Sequence, residues 1–137
     1  RIDFDGKSII LVIRVETGLD KKNQLIKKWY ARQVREEALY LIPKWEPVIG
    51  VKSGRLFVQK MKSRWGSCNI QNGNIRLNSE LAKFPKGALE QVVVHELVHL
   101  LEPSHSKRFY SFMDEFMPNW KKLKALTAVD FRGLDNE

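Results

Sequence analysis

The chain holds a single cysteine, Cys68, among 137 residues, so it can form neither an intrachain disulfide nor a multi-cysteine metal site. One lone thiol fits a reducing setting, and the expected location is cytoplasmic. Histidine is scarce too, with three in all. Long apolar runs are missing: the longest aliphatic stretch, Ile9 to Ile13, is far too short to cross a bilayer, so no membrane association is expected. No charged-then-apolar leader ending in small residues opens the chain, which excludes a secretory signal from the reading. The first residue is Arg1 and not a methionine, which is compatible with a piece of a longer protein. Internal repeats, low-complexity tracts and Gly/Ser linkers are absent as well, so residues 1–137 read as one domain.

What is present is ordinary for a globular protein: 43% hydrophobic and 29% charged residues, in a chain long enough to bury a core. The formal charge of +8 suggests affinity for something anionic, such as nucleic acid. Lys and Arg are spread along the whole chain, however, which equally describes a well-solvated basic surface.

Ser8 to Glu16 is apolar and β-branched and reads as a strand. Gly18 and Asp20 mark a turn and a helix N-cap. Lys21 to Ile42 repeats apolar residues at spacings of three and four, from Leu25 and Ile26 through Leu39 and Leu41, and predicts an amphipathic helix ending near Pro43. Arg55 to Lys62 alternates apolar with polar and predicts a strand, Trp65 to Asn69 a turn-rich connection, and Gly73 to Asn78 a second short strand entered through Asn72-Gly73. Pro85 opens a helix running to about Leu101, and Pro103 ends it. Ser104 is the expected cap of a further helix through Phe116, with Phe109, Phe112, Met113 and Phe116 as its buried stripe. Pro118 restarts a short basic helix, and the chain frays after Thr127. Strands flanked by separate helices predict an α+β fold.

The chemistry concentrates in His95-Glu96-Leu97-Val98-His99. Two histidines four apart on a helix lie on one face, so both imidazoles can reach one ion. Glu96 sits about 100° round from His95, within reach of a water at that ion without competing as a ligand. A catalytic zinc site needs a third protein ligand and an open position. His105, six residues beyond His99, completes H-E-x-x-H-x5-H, the ligand spacing of the metzincins. Metzincins place Gly where this chain has Glu102, so Glu102-Pro103-Ser104 must make the turn, on a different scaffold. Glu115, and more remotely Glu102, are the rival third ligands. Imidazole suits nickel or iron as well as zinc.

At Arg64-Trp65-Gly66-Ser67-Cys68, Gly73 to Asn78, Val92 to Leu100 and Glu102 to Phe109, the sequence resembles the YgjP-like metallopeptidases, and more loosely the SprT and Wss1-type proteases. The likeness covers about Lys60 to Leu126. It implies a compact zincin, with a helix backing a small twisted sheet and a metal on the active-site helix. Family members are mostly described as metal-dependent hydrolases, some accompanying restriction-modification systems.

The function expected is therefore zinc-dependent hydrolysis of a peptide bond in a peptide or protein substrate. His95, His99 and His105 hold Zn2+, and Glu96 is the general base. Arg64, Asn78 and Tyr110 are candidate oxyanion stabilisers, and Gly73 to Asn78 is a candidate edge for an extended peptide. Cys68 reads as a small packing residue more readily than as a ligand or nucleophile, and Met113 and Met117 read as core. The alternative is a basic, nucleic-acid-associated zinc protein, either a binding module or a DNA-linked protease. A retained general base favours the enzyme, because a structural zinc has no use for it.

Overall fold

The computed structural model describes residues 19–128. The strand expected at Ser8 to Glu16, Gly18 and the tail beyond residue 128 lie outside the described residues. The order of elements is α1 (Leu19–Ile49), β1 (Leu56–Gln59), β2 (Gly66–Cys68), β3 (Ile75–Asn78), a 3-10 turn (Ser79–Lys83), α2 (Lys86–Val98), α3 (Lys107–Phe116), α4 (Trp120–Lys124) and a last 3-10 turn (Ala125–Thr127). Helices packed around a small mixed sheet make the fold α+β, as the sequence pattern predicts.

Helix α1 buries Val34, Ala38, Leu41, Ile42 and Ile49, whereas Leu39, expected in the apolar stripe, faces outward beside exposed Tyr40. Asp20 lies in its first turn and not at a cap. The helix does not stop at Pro43 but continues through Pro47 to Ile49. Each proline removes a backbone donor, and contacts to the rest of the molecule hold the extra turns. Trp45 Nε1 and Lys44 Nζ both donate to Glu90 Oε2, at 2.8 and 2.9 Å. Glu46 accepts from the Ser53 amide and hydroxyl, both at 2.7 Å. The end comes at Gly50, whose φ of +83° lets its amide turn back to the Glu46 carbonyl at 2.8 Å.

The sheet order is β1-β3-β2. Strand β3 is central, parallel to β1 with Leu56 opposite Ile75, and antiparallel to β2 with Ser67 opposite Arg76. Ile75 and Leu77 point into the core, and Arg76, on the other face, stacks on Phe57. Two expectations change here. Gly66–Cys68, read as turn-rich connection, is a strand, because pairing with β3 and not apolar alternation makes it one. The strand expected over Arg55 to Lys62 is confined to Leu56–Gln59, where β3 supplies partners. The Asn72-Gly73 turn is as expected: Gly73 has a φ of +76°, and Asn69 Oδ1 accepts from the Gln71 and Asn72 amides.

Helix α2 is the centre of the molecule, and its buried residues surround the axis, from Ala88 and Leu89 to Leu97 and Val98. Pro85 caps it, and the regular helix ends at Val98. The following turn to Leu101 is held by tighter bonds, such as Leu101 amide to Val98 carbonyl at 2.8 Å. The cap of α3 is Ser106 and not Ser104, with Ser106 Oγ accepting from the Phe109 amide at 3.3 Å. Of the expected stripe on α3, Phe109 and Met113 are fully buried, and Phe112 and Phe116 are partly so. Trp120 opens α4, donating through Nε1 to Asp114 at 2.8 Å and stacking on Tyr110. Among the described residues no helix is long and apolar enough to cross a membrane.

Candidate metal centre

Three segments converge at the C-terminal end of α2. His95 and Glu96 lie on its last regular turn and His99 at its C-cap, all more than nine-tenths buried. His105 stands in the loop ahead of Ser106, so it precedes α3 and does not project from its first turn. It is exposed, yet its Nε2 lies 3.1 Å from His99 Nε2 and 3.3 Å from His95 Nε2. One ligand atom from each histidine falls within a 4.8 Å cluster. Glu115 is exposed on α3 and is not part of it.

Glu102, the other rival, has its carboxylate engaged elsewhere. It accepts from the Ser104 hydroxyl at 2.9 Å and from Arg108 Nη1 at 3.2 Å. These bonds hold its carboxyl pKa below the ordinary value, Ser104 contributing most. The Glu102 side chain thus ties down the Glu102-Pro103-Ser104 turn that carries His105 inward. Its backbone carbonyl faces His99 Nδ1 at 3.2 Å. A proton on Nδ1 donated to that carbonyl leaves the Nε2 lone pair facing the cluster.

Burial, with the neighbouring His99, His105 and Lys124 adding to it, pushes the His95 pKa from its ordinary 6.5 down to about 2. Burial also lowers the pKa of His99, partly offset by the Glu102 carbonyl. Both imidazoles are therefore neutral at pH 7, the form that binds a cation.

Sequence reasoning saw Phe109 only as part of a helical stripe. Its ring lies 4.9, 4.6 and 5.0 Å from those of His95, His99 and His105, an apolar floor under all three. Gly66 was also passed over as special. A Cβ there would meet Val92 Cγ1 at 2.8 Å and Glu96 Oε2 at 3.1 Å, so β2 approaches α2 closely only because the residue is glycine.

The other sequence candidates fall into distinct places. Asn78 is fully buried: its Nδ2 donates to the Met61 and Arg64 carbonyls, and its Oδ1 accepts from the Glu80 amide. That amide is a tie between β3 and the preceding loop. Tyr110 stacks on Trp120 and also lies 6.3 Å from the His105 ring. Arg64 and Cys68 line an open depression of about 300 Å³ with His99, Ser104 and His105. Met113 and Met117 are core.

The short mixed sheet over a histidine-bearing helix, closed by C-terminal helices, has counterparts among solved structures. The metallopeptidase zymogen abylysin of Pyrococcus abyssi superposes with a TM-score of 0.58 at 17% identity, over 64% of this chain and 89% of that one. The zymogen jannalysin of Methanocaldococcus jannaschii gives 0.56 at 16% identity, over 64% and 90%. A comparison with curated protein sequences gives no match.

The chain belongs to the YgjP-like family: the model of the YgjP-like metallopeptidase domain matches residues 1–128, reaching well ahead of the Lys60 to Leu126 segment that carries the sequence likeness. It is thus a metallopeptidase domain.

Proposed function

We propose that the domain hydrolyses peptide bonds using a zinc ion held by His95, His99 and His105, with Glu96 as general base. The observation that carries this reading is the spacing of the imidazole nitrogens. Zn–N bonds of 2.0–2.1 Å at tetrahedral angles put nitrogens about 3.3 Å apart, and His105 Nε2 stands 3.3 and 3.1 Å from its two partners. Three imidazole donors and no thiolate suit zinc and leave a fourth position open.

Such an ion supplies polarisation of the scissile carbonyl and a water of lowered pKa. The residues of the chain do the rest. Glu96 accepts the proton of the attacking water and delivers it to the leaving amine. Phe109 keeps bulk water from the back of the imidazoles. Strand β3 has neighbours on both sides, so Gly73 to Asn78 cannot take on an extended peptide. Among the described residues, β2 is the edge strand next to the site, and we assign it that role instead.

Metal analysis of purified protein, paired with a peptide-library digest of wild type and Glu96→Gln, tests the mechanism. Zinc content is expected to be equal in the two, with hydrolysis lower in the variant by about 10²- to 10⁴-fold. Full hydrolysis by a zinc-replete Glu96→Gln protein would sink it.

The charge of +8 favours a second reading, a nucleic-acid-associated protease. It predicts DNA binding that weakens steeply with salt, and hydrolysis that changes when DNA is added.

A further inference from the structure

Lys and Arg are spread along the chain, but Asp and Glu are not. Pro47 to Ser79 holds no acidic residue and six basic ones, and all three strands lie inside it. Lys52 and Arg55 precede β1, Lys60, Lys62 and Arg64 follow it in the loop to β2, and Arg76 is on β3; all six are exposed. The centre of this surface is the sheet face opposite Ile75 and Leu77. There the register sets Phe57, Arg76 and Ser67 in one row across β1, β3 and β2. Arg76 donates to Gln59 at 2.9 Å and lies 4.7 Å from the centre of the Phe57 ring, a flat cation braced from two sides. Beside it, an open depression of about 350 Å³ is lined by Ser67, Cys68, Asn69, Asn72, Asn74 and Arg76, with no carboxylate. The three asparagines turn their oxygens to the loop backbone. Asn69 Oδ1 accepts from the Gln71 and Asn72 amides, Asn72 Oδ1 from the Asn74 amide and Asn74 Oδ1 from the Arg55 amide. With the oxygens engaged, the groups they offer a ligand are NH2 donors.

We propose that this face binds single-stranded nucleic acid, with phosphates against the cations and asparagine amides and an unstacked base against the Arg76 guanidinium. An acid-free positive surface attracts a polyanion. Donors with no acidic neighbour suit phosphate oxygens. A flat guanidinium held on an aromatic ring is a stacking platform, and a single strand has bases free to use it where a duplex has none. Cys68 borders both this depression and the one beside His99 and His105, so a bound strand passes next to the proposed metal centre. The inference rests on the nucleic-acid reading of the charge and gives it a surface and a single-stranded partner; the peptidase reading stands or falls without it. DNA and RNA share the required chemistry.

The test is fluorescence anisotropy of the full chain with labelled oligo-dT, oligo-rU and a DNA duplex of the same length, over a range of salt. Single strands should bind more tightly than the duplex, and the tighter of the two single strands assigns DNA or RNA as the source. Lys60→Glu combined with Lys62→Glu should weaken single-strand binding at least about tenfold and flatten its salt dependence. Both lysines are exposed, so the core is left alone. The same charge reversal at exposed Lys121 and Lys122 on α4 should change binding less than about threefold. Arg76→Lys keeps the charge and removes the plane, so affinity should fall about 5- to 100-fold with the salt slope unchanged. A purely electrostatic arginine would show no such loss. Equal weakening by the sheet and α4 reversals, tighter binding of the duplex, or full affinity in Arg76→Lys overturns the proposal and leaves the nucleic-acid reading in place. Competition by polyglutamate as effective as by oligo-dT also overturns it, assigning the face to an acidic protein. Binding to none of the three nucleic acids overturns both.

Discussion

Phe109 is by burial an ordinary core residue, yet its ring touches three imidazoles at once. Truncating it opens a cavity and also frees the histidines to turn. Phe109→Ala should therefore cost about 3–5 kcal/mol in urea unfolding of the metal-free protein. Zinc affinity, read by competition with a chromogenic chelator, should fall as well, by roughly ten- to a hundredfold, as for loss of an outer partner. His105 and Glu115 separate more cleanly. On the proposed assignment, His105→Ala weakens zinc by more than that, and Glu115→Ala leaves it unchanged. A site that survives the first substitution and collapses in the second would transfer the third ligand to Glu115.

At the scale of elements, the close approach of β2 to α2 is the contact most sensitive to one atom. Gly66→Ala puts a methyl 2.8 Å from Val92 Cγ1 and 3.1 Å from Glu96 Oε2. It should destabilise the fold by about 1–3 kcal/mol, the usual effect of overpacking, as read from the urea midpoint. Hydrolysis, where measurable, should fall further than stability, because Glu96 is one of the displaced groups. Ser67→Ala, on the same strand, should leave both nearly unchanged.

The helix bearing His95, Glu96 and His99 was legible in the sequence, because the apolar run from Leu89 to Val98, bounded by Pro85 and Pro103, is too long for a buried strand and reads as a helix apolar all round. His105 was found by spacing alone, and the cap beside it was misplaced by two residues, since Ser104 and Ser106 carry the same signal locally. Glu102 favours Ser106 by engaging Ser104. Strand β2 was illegible for a different reason: Gly-Ser-Cys has no strand signature until β3 pairs with it. Pro43 pointed the wrong way because its local cost is offset by Glu90, a residue far along the chain.

For the molecule as a whole, the buried neutral histidines couple folding to acidity. The unfolded chain takes up a proton at His95 near pH 6.5, and the folded chain does so only near pH 2. Above 6.5 both states are neutral there and stability is at its full value. As pH falls below 6.5 the unfolded state binds the extra proton, and metal-free protein loses up to about 1.4 kcal/mol per pH unit from this group. His99 acts in the same direction. The urea midpoint should thus drop between pH 7.5 and 5.5, and a flat or rising profile would contradict the burial argument.

The donors of the proposed centre differ in how firmly they are mounted. Two stand on the central helix, and the third is borne on a solvent-facing turn fastened by Glu102, Ser104 and Arg108. The helix then sets how strongly the ion is gripped, and the turn sets how long it stays. Loosening the fastening with Arg108→Ala should shorten the residence time of zinc more than it weakens equilibrium affinity, as timed by release into excess chelator. The turn becomes a latch, one whose hold a partner protein could change without touching the helix below.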